Sequence, residues 1–186
     1  SLTTLASGGY STKNTSIAYW SSPVTHYIII FFMIIAGTNF SLLYGAMIRK
    51  QGKRLVQDEE FKTYLYSILG ASLVIAIGLI CTRNFEGFKS VELAFRDALF
   101  QIVATMTTTG FCTSDYMSWH PILLLTILLI IPMGATAGST SGGIKIIRLH
   151  IVAKNIFYEF KRVMHPKAIR PVRVNRRIVS ENTLSN

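Results

Sequence analysis

Residues 27–48 and 63–82 carry no formal charge, and residues 114–144 contain a single acid, Asp115. A helix needs about 20 residues to cross a ~30 Å hydrocarbon core. Each stretch is therefore long enough to span a membrane. Residues 98–114 are uncharged as well, but too short. A soluble chain of 186 residues cannot wrap three fully apolar helices in polar structure, so the pattern predicts an all-α integral membrane protein.

The basic residues fix an orientation. One cluster is Arg49, Lys50, Lys53, Arg54 and Lys62; the other runs through the tail from Arg148 to Arg177. The positive-inside rule places both on the cytoplasmic side. Between them, Arg83, Lys89 and Arg96 balance Glu86, Glu92 and Asp97, which fits the outside. An even number of crossings must separate two cytoplasmic regions, and residues 63–82 and 120–147 supply two. Residues 98–114 must therefore enter the membrane and return on the same side. This predicts a half-helix over 98–106, about 13 Å long at ~1.5 Å per residue, and a non-helical return over 107–113.

Non-helical backbone at membrane depth is tolerated only where protein buries it or where it lines a watery cavity. The run Thr107-Thr108-Thr109-Gly110-Phe111 thus predicts a pore loop, with backbone carbonyls replacing an ion's hydration shell. The Thr hydroxyls support the carbonyls or bind the ion themselves, and Gly110 permits a backbone closed to other residues. A polar interfacial turn is the plainer alternative. An internal repeat favours the pore loop. Shifted by 101 positions, Thr4, Gly9 and Thr12 fall on Thr105, Gly110 and Thr113, and Ser7 and Tyr10 meet Thr108 and Phe111. A proline and an apolar span follow each motif, at Pro23 and Pro121. The unit is helix, pore loop, helix. One unit cannot surround an ion, so several loops must converge on an axis. Two non-identical loops in one chain favour pseudo-symmetry within a longer polypeptide, of which this sequence is expected to be a piece.

The last apolar span breaks. After Pro132 come Gly134, Gly138, Gly142 and Gly143, with Ser139, Thr140 and Ser141, before Lys145. Each Gly costs about 1 kcal/mol against Ala in a helix. We read an unwound loop facing the aqueous path beneath the filter. A small-residue face packed between helices is the alternative. A nucleotide-binding P-loop is excluded, because Ile144 follows Gly143 where that motif needs Lys.

Composition adds limits. Charged residues make up 15% of the chain and the net charge is +10. The basic residues lie at helix ends and in the tail, so they indicate membrane topology and lipid rather than nucleic acid. Cys81 and Cys112 read as packing residues. Asp115 raises cation concentration at the outer mouth or caps a turn. Asn39, inside a span, makes a helix–helix hydrogen bond or touches an ion. Lys145 snorkels to the cytoplasmic surface or tethers the loop. No nucleophile, base or metal cluster lines up for an enzyme. The tail is expected to continue as a helix over 148–162, to stop at His165-Pro166, and to form a short hairpin over 172–179 around Asn175-Arg176.

Three motifs together, TTTGF at 107–111, AGSTSGGIK at 137–145 and AGTNF at 36–40, resemble the TrkH/KtrB superfamily of potassium uptake proteins, closest to its TrkH branch. The resemblance covers nearly the whole chain. It implies a fragment of a four-repeat pseudo-symmetric channel built from helix–pore-loop–helix repeats with re-entrant half-helices. Residues 1–62 would hold the filter strand and last helix of the second repeat plus a cytoplasmic loop. Residues 63–165 would be the complete third repeat, and 166–186 a basic cytoplasmic linker to the next. The transported ion would be K+, with no organic cofactor. Ser7, Gly8 and Gly9 would join Thr107, Thr108, Thr109 and Gly110 in the filter. The segment from Gly134 through Lys145 would be the intramembrane gating loop. Partners would be membrane lipid, a second copy in a homodimer, and a separate cytosolic ring that binds nucleotide, in the inner membrane of bacteria. A sodium-coupled or weakly selective transporter and a non-conducting membrane scaffold are the competing readings.

Overall fold

The computed structural model describes residues 2–20, 22–49, 52–83, 88–164, 173–174 and 177–178. The elements are helical throughout, apart from one small hairpin. In chain order they are α1 (Leu2–Leu5), α2 (Pro23–Ala36), α3 (Phe40–Met47), α4 (Gly52–Gln57), α5 (Glu59–Arg83), α6 (Phe88–Met106), α7 (Pro121–Ile130), α8 (Ile146–Met164), β1 (Arg173–Val174) and β2 (Arg177–Ile178). Short 3-10 turns at Ser16–Tyr19 and Tyr116–Ser118 precede α2 and α7.

The long apolar helix α5 is the axis of the packing. Its residues Tyr64, Ile68, Ser72, Ile75, Ala76 and Leu79 are buried, and their spacing traces one helical stripe. That stripe packs against α6, with α7 and α8 alongside. Gly78 allows the approach of α7: a Cβ there would stand 2.3 Å from a Leu123 methyl. The opposite face carries Tyr66, Leu69, Leu73, Val74 and Ile77, all exposed. An all-round apolar helix of this kind suits a bilayer or further helices, not water. Among the described residues, α5 alone is long and apolar enough to cross a membrane unbroken, over Glu59–Thr82.

Three expectations change. The uncharged stretch 27–48 is not one rod: α2 and α3 meet at 106°. Asn39 causes the restart. Its Oδ1 accepts from Ser41 N at 2.8 Å and from Leu42 N at 3.4 Å, capping α3. Its hydrogen bonds are thus to its own helix, rather than across helices. Second, the half-helix expected at 98–106 begins ten residues earlier, at Phe88. Charge does not stop a helix when its hydrogen bonds continue. Glu92 and Arg96 pair at 3.7 Å one turn apart, and Tyr27 donates to Glu92 at 3.0 Å. Third, α5 starts at Glu59, so the end of the expected loop 49–62 is already helical. The expected hairpin appears as β1 and β2, paired antiparallel with Val174 opposite Arg177. Its turn at Asn175-Arg176 and the expected stop at His165-Pro166 lie outside the described residues.

Candidate functional site: two re-entrant loops and a Gly-rich segment

The repeat read in sequence is also a repeat in backbone. Helix α1 ends at Leu5 and α6 at Met106, equivalent positions under the 101-residue shift. Both helices close with the same turn. Gly8 N donates to Thr3 O at 2.9 Å, and Thr109 N donates to Ala104 O at 2.9 Å. Ser7 N donates to Thr4 O at 3.3 Å, and Thr108 N to Thr105 O at 3.0 Å. This pair of bonds is the Schellman helix stop, whose C′ residue is left-handed. Ser7 has φ 51° and Thr108 has φ 53°. Two residues on, Gly9 has φ 63° and Gly110 has φ 79°. Residues of opposite φ sign therefore alternate in both loops.

The loops touch each other. A Cβ on Gly9 would stand 1.9 Å from the Thr109 carbonyl oxygen, so only glycine lets the strands approach. Further along both strands, Ile17 N and Ala18 N donate to Cys112 O at 3.2 Å each. Thr108 and Gly110 are exposed, whereas Thr107 and Thr109 are buried. Thr107 Oγ1 donates to Val103 O at 2.7 Å and lies 2.8 Å from Thr109 Oγ1. Those two hydroxyls buttress the loop from behind.

The Gly-rich segment 131–145 is non-helical, as its composition predicts, and lies against both loops. Its two ends pair: Gly134 N donates to Ile144 O and Ile144 N to Pro132 O, each at 2.9 Å. The backbones crowd so closely that a Cβ on Gly134 would stand 2.2 Å from Gly142 O. Ser141, buried, accepts from Ala135 N at 3.2 Å and lies 2.9 Å from Ser139 Oγ. Lys145 Nζ donates to Ser141 O and, at 3.4 Å, to Ser141 Oγ, so it ties the loop's own turn. At the tip, Thr140 Oγ1 lies 2.9 Å from Ser7 Oγ and 3.1 Å from Leu5 O. Gly142 N donates to Thr108 Oγ1 at 2.8 Å. Gly138, with φ 73°, packs on the Asn39 side chain, and its carbonyl accepts from Phe40 N at 3.2 Å.

Sequence reasoning missed one anchor. Glu60, only 7% exposed, accepts from Ala137 N at 2.5 Å and so holds the loop from α5. The adjacent acids Glu59 and Glu60 were the signal, but they resemble ordinary first-turn acids of a helix. Glu59 does take a surface role, with Lys154 at 2.7 Å. Asp115 sits apart from the loops' contact and accepts from Met117 N at 3.1 Å, the turn-capping arrangement. Among the described residues, no group of His, Cys, Asp and Glu is placed to hold a metal ion.

Comparison with known proteins agrees with this geometry. The family described as "TrkH: Cation transport protein" matches residues 1–186. The chain is 32% identical over 187 aligned residues to the Trk system potassium uptake protein TrkH of Escherichia coli K12, covering 99% of this chain and 38% of that protein. It is 30% identical to the protein of the same name from Halomonas elongata, over 95% of this chain and 36% of that one. The crystal structure of the potassium transporter TrkH from Vibrio parahaemolyticus superposes with a TM-score of 0.88 at 30% identity, covering 98% of this chain and 38% of that one. The chain thus spans well under half the length of these relatives.

Proposed function

The chain belongs to the TrkH family of cation transport proteins, and from that premise we propose that it forms part of a potassium-conducting pore closed from below by its own loop. The observation that carries the proposal is the contact of two pore loops with matching backbone turns, bridged on one side by residues 131–145. The backbone carbonyls of Thr107–Gly110 and Ser7–Gly9 would replace water around the ion. Both helices α1 and α6 aim their C-termini, the negative ends of their dipoles, at these loops, which favours a cation. Gly134, Gly138, Ser139, Thr140, Ser141, Gly142, Gly143 and Lys145 form the movable barrier. The barrier is held by hydrogen bonds and glycine contacts rather than by a packed apolar helix, so it can leave without unfolding the core.

The finer points belong to the same proposal. The parent is a multi-pass protein of a bacterial inner membrane, with 49–62 and the tail cytoplasmic, and it is a transporter rather than an enzyme. The family resemblance supports a homodimer and a separate nucleotide-binding ring acting on the loop. Residues 1–62, 63–165 and 166–186 remain the proposed divisions, and Asp115 lies near the outer mouth with its carboxylate engaged in the turn.

Rubidium tracer uptake into proteoliposomes containing the full-length parent tests the function. Uptake blocked by potassium and not by sodium is expected. Equal block by both ions would replace the potassium reading with a weakly selective cation pathway, and absence of uptake by the folded protein would remove conduction.

A further inference from the structure

A Schellman stop normally places glycine at its left-handed C′ position, because any other side chain is strained there. Both filter loops break that rule, and in the same way. The C′ residues are Ser7 and Thr108, each bearing a hydroxyl. Strained backbone of this kind persists where the surroundings hold it. What holds each hydroxyl is the Gly-rich loop: Thr140 Oγ1 lies 2.9 Å from Ser7 Oγ, and Gly142 N donates to Thr108 Oγ1 at 2.8 Å. Thr140 also reaches the last helical carbonyl before the first filter strand, Leu5 O, at 3.1 Å. Two separate repeats thus present a hydroxyl at the same strained position, and two neighbouring stretches of one loop meet them.

We propose that Thr140 and the Gly142 N–H are positioning groups for ion selection: the loop beneath the filter sets the filter's backbone as well as blocking the path. When the loop withdraws, Ser7 and Thr108 lose their partners and the carbonyls of both strands relax. Selectivity is therefore linked to the state of the gate. A plain barrier would need no bond to the filter, and the C′ positions would then be better served by glycine. The inference rests on the pore reading above and adds to it a specificity-determining role for a residue outside the filter strands.

The test uses full-length parent protein in proteoliposomes, with initial rates of rubidium and sodium tracer flux measured side by side. Their ratio is independent of how often the gate is open, which separates positioning from blocking. Thr140→Val keeps the shape and removes the hydroxyl; Thr140→Ser restores it. The rubidium-to-sodium ratio is expected to fall about three- to tenfold in Thr140→Val, the factor expected from losing an ordinary hydrogen bond, and to return in Thr140→Ser. Both fluxes rising by the same factor, with the ratio unchanged, overturns the linkage and leaves the pore reading intact. Absence of rubidium flux in the native protein overturns both. Should Thr140→Val not yield a folded protein, Thr140→Ala removes the same hydroxyl with less bulk and leaves the filter strands untouched, and the same ratio decides.

Discussion

Gly9 and Gly110 occupy one position of a repeat, yet their surroundings here differ. At Gly9 a Cβ would stand 1.9 Å from Thr109 O; at Gly110 a Cβ would meet nothing within 4 Å among the described residues. If four repeats are arranged about one axis, the packing of one loop on the next recurs. The strand following Gly110 in space would then present its own carbonyl where Thr109 O stands beside Gly9. Two terms follow for Gly110→Ala in the full-length protein. The left-handed backbone costs about 1–2 kcal/mol for an L-residue. An ordinary C···O contact is about 3.3–3.6 Å, so a repeat of the Gly9 geometry forces the strands apart by more than ~1 Å and adds an overpacking cost of about 1–3 kcal/mol. Together these give about 2–5 kcal/mol, or a loss of roughly thirtyfold or more in filter-competent protein. Rubidium uptake by Gly9→Ala and Gly110→Ala, each normalised to folded protein, measures it. Equally severe loss in the two is expected. Gly110→Ala retaining a fifth or more of native uptake while Gly9→Ala is dead would refute the rotational repetition of the contact.

Glu60→Ala leaves Ala137 N–H without its partner, a loss of about 1–3 kcal/mol in loop anchoring; rubidium leak in the unstimulated protein should rise, while Glu60→Gln, which keeps an acceptor oxygen, stays near native. An unchanged leak in Glu60→Ala would show that α5 does not hold the loop. Asn39→Ala removes the α3 cap and should lower stability by about 1 kcal/mol, whereas Asn39→Asp should not. Thermal unfolding in detergent reads the difference, and identical melting of the two variants would mean that the cap does not fix the bend.

Much of the fold was legible because a membrane imposes strong rules. The uncharged runs located the apolar helices, and the parity of crossings required residues 98–114 to turn back. The re-entrant turn at Thr107–Gly110 follows from that counting, and the 101-residue shift extends it to Ser7–Gly9. Other features depend on contacts between distant segments. The bend at 37–39 lies inside an uncharged stretch, where hydropathy carries no signal, and it depends on what one Asn side chain caps. Helix α6 runs on from Phe88 through Glu92 and Arg96, which pair with each other while Tyr27 of α2 donates to Glu92, contacts that a charge count cannot register. Glu60 looks like a helix-start acid in sequence; only the return of residue 137 to α5 makes it an anchor.

The two repeats diverge at their breaks, and the divergence explains how the Gly-rich segment is held. Each has a helix that stops and restarts. In the earlier repeat only residues 37–39 separate α2 from α3; in the later one residues 131–145 separate α7 from α8. The short break leaves carbonyls at the end of α2 without helical partners, as every helix C-terminus does. The long break supplies the donors. Thr136 N and Thr136 Oγ1 reach Gly37 O at 3.1 Å and 2.9 Å, and Thr140 N reaches Ala36 O at 3.4 Å, with the one Thr140 hydroxyl proton shared between Ala36 O at 3.2 Å and Leu5 O at 3.1 Å. Gly37 is required for this closeness, since a Cβ there would stand 2.3 Å from the Tyr64 hydroxyl oxygen and 3.0 Å from a Thr107 methyl. A single glycine therefore lies between Thr107, which buttresses the turn after α6, and the Gly-rich segment's anchor at Thr136. Through it, the AGTNF and AGSTSGGIK segments act as two halves of one latch, although almost a hundred residues of chain separate them.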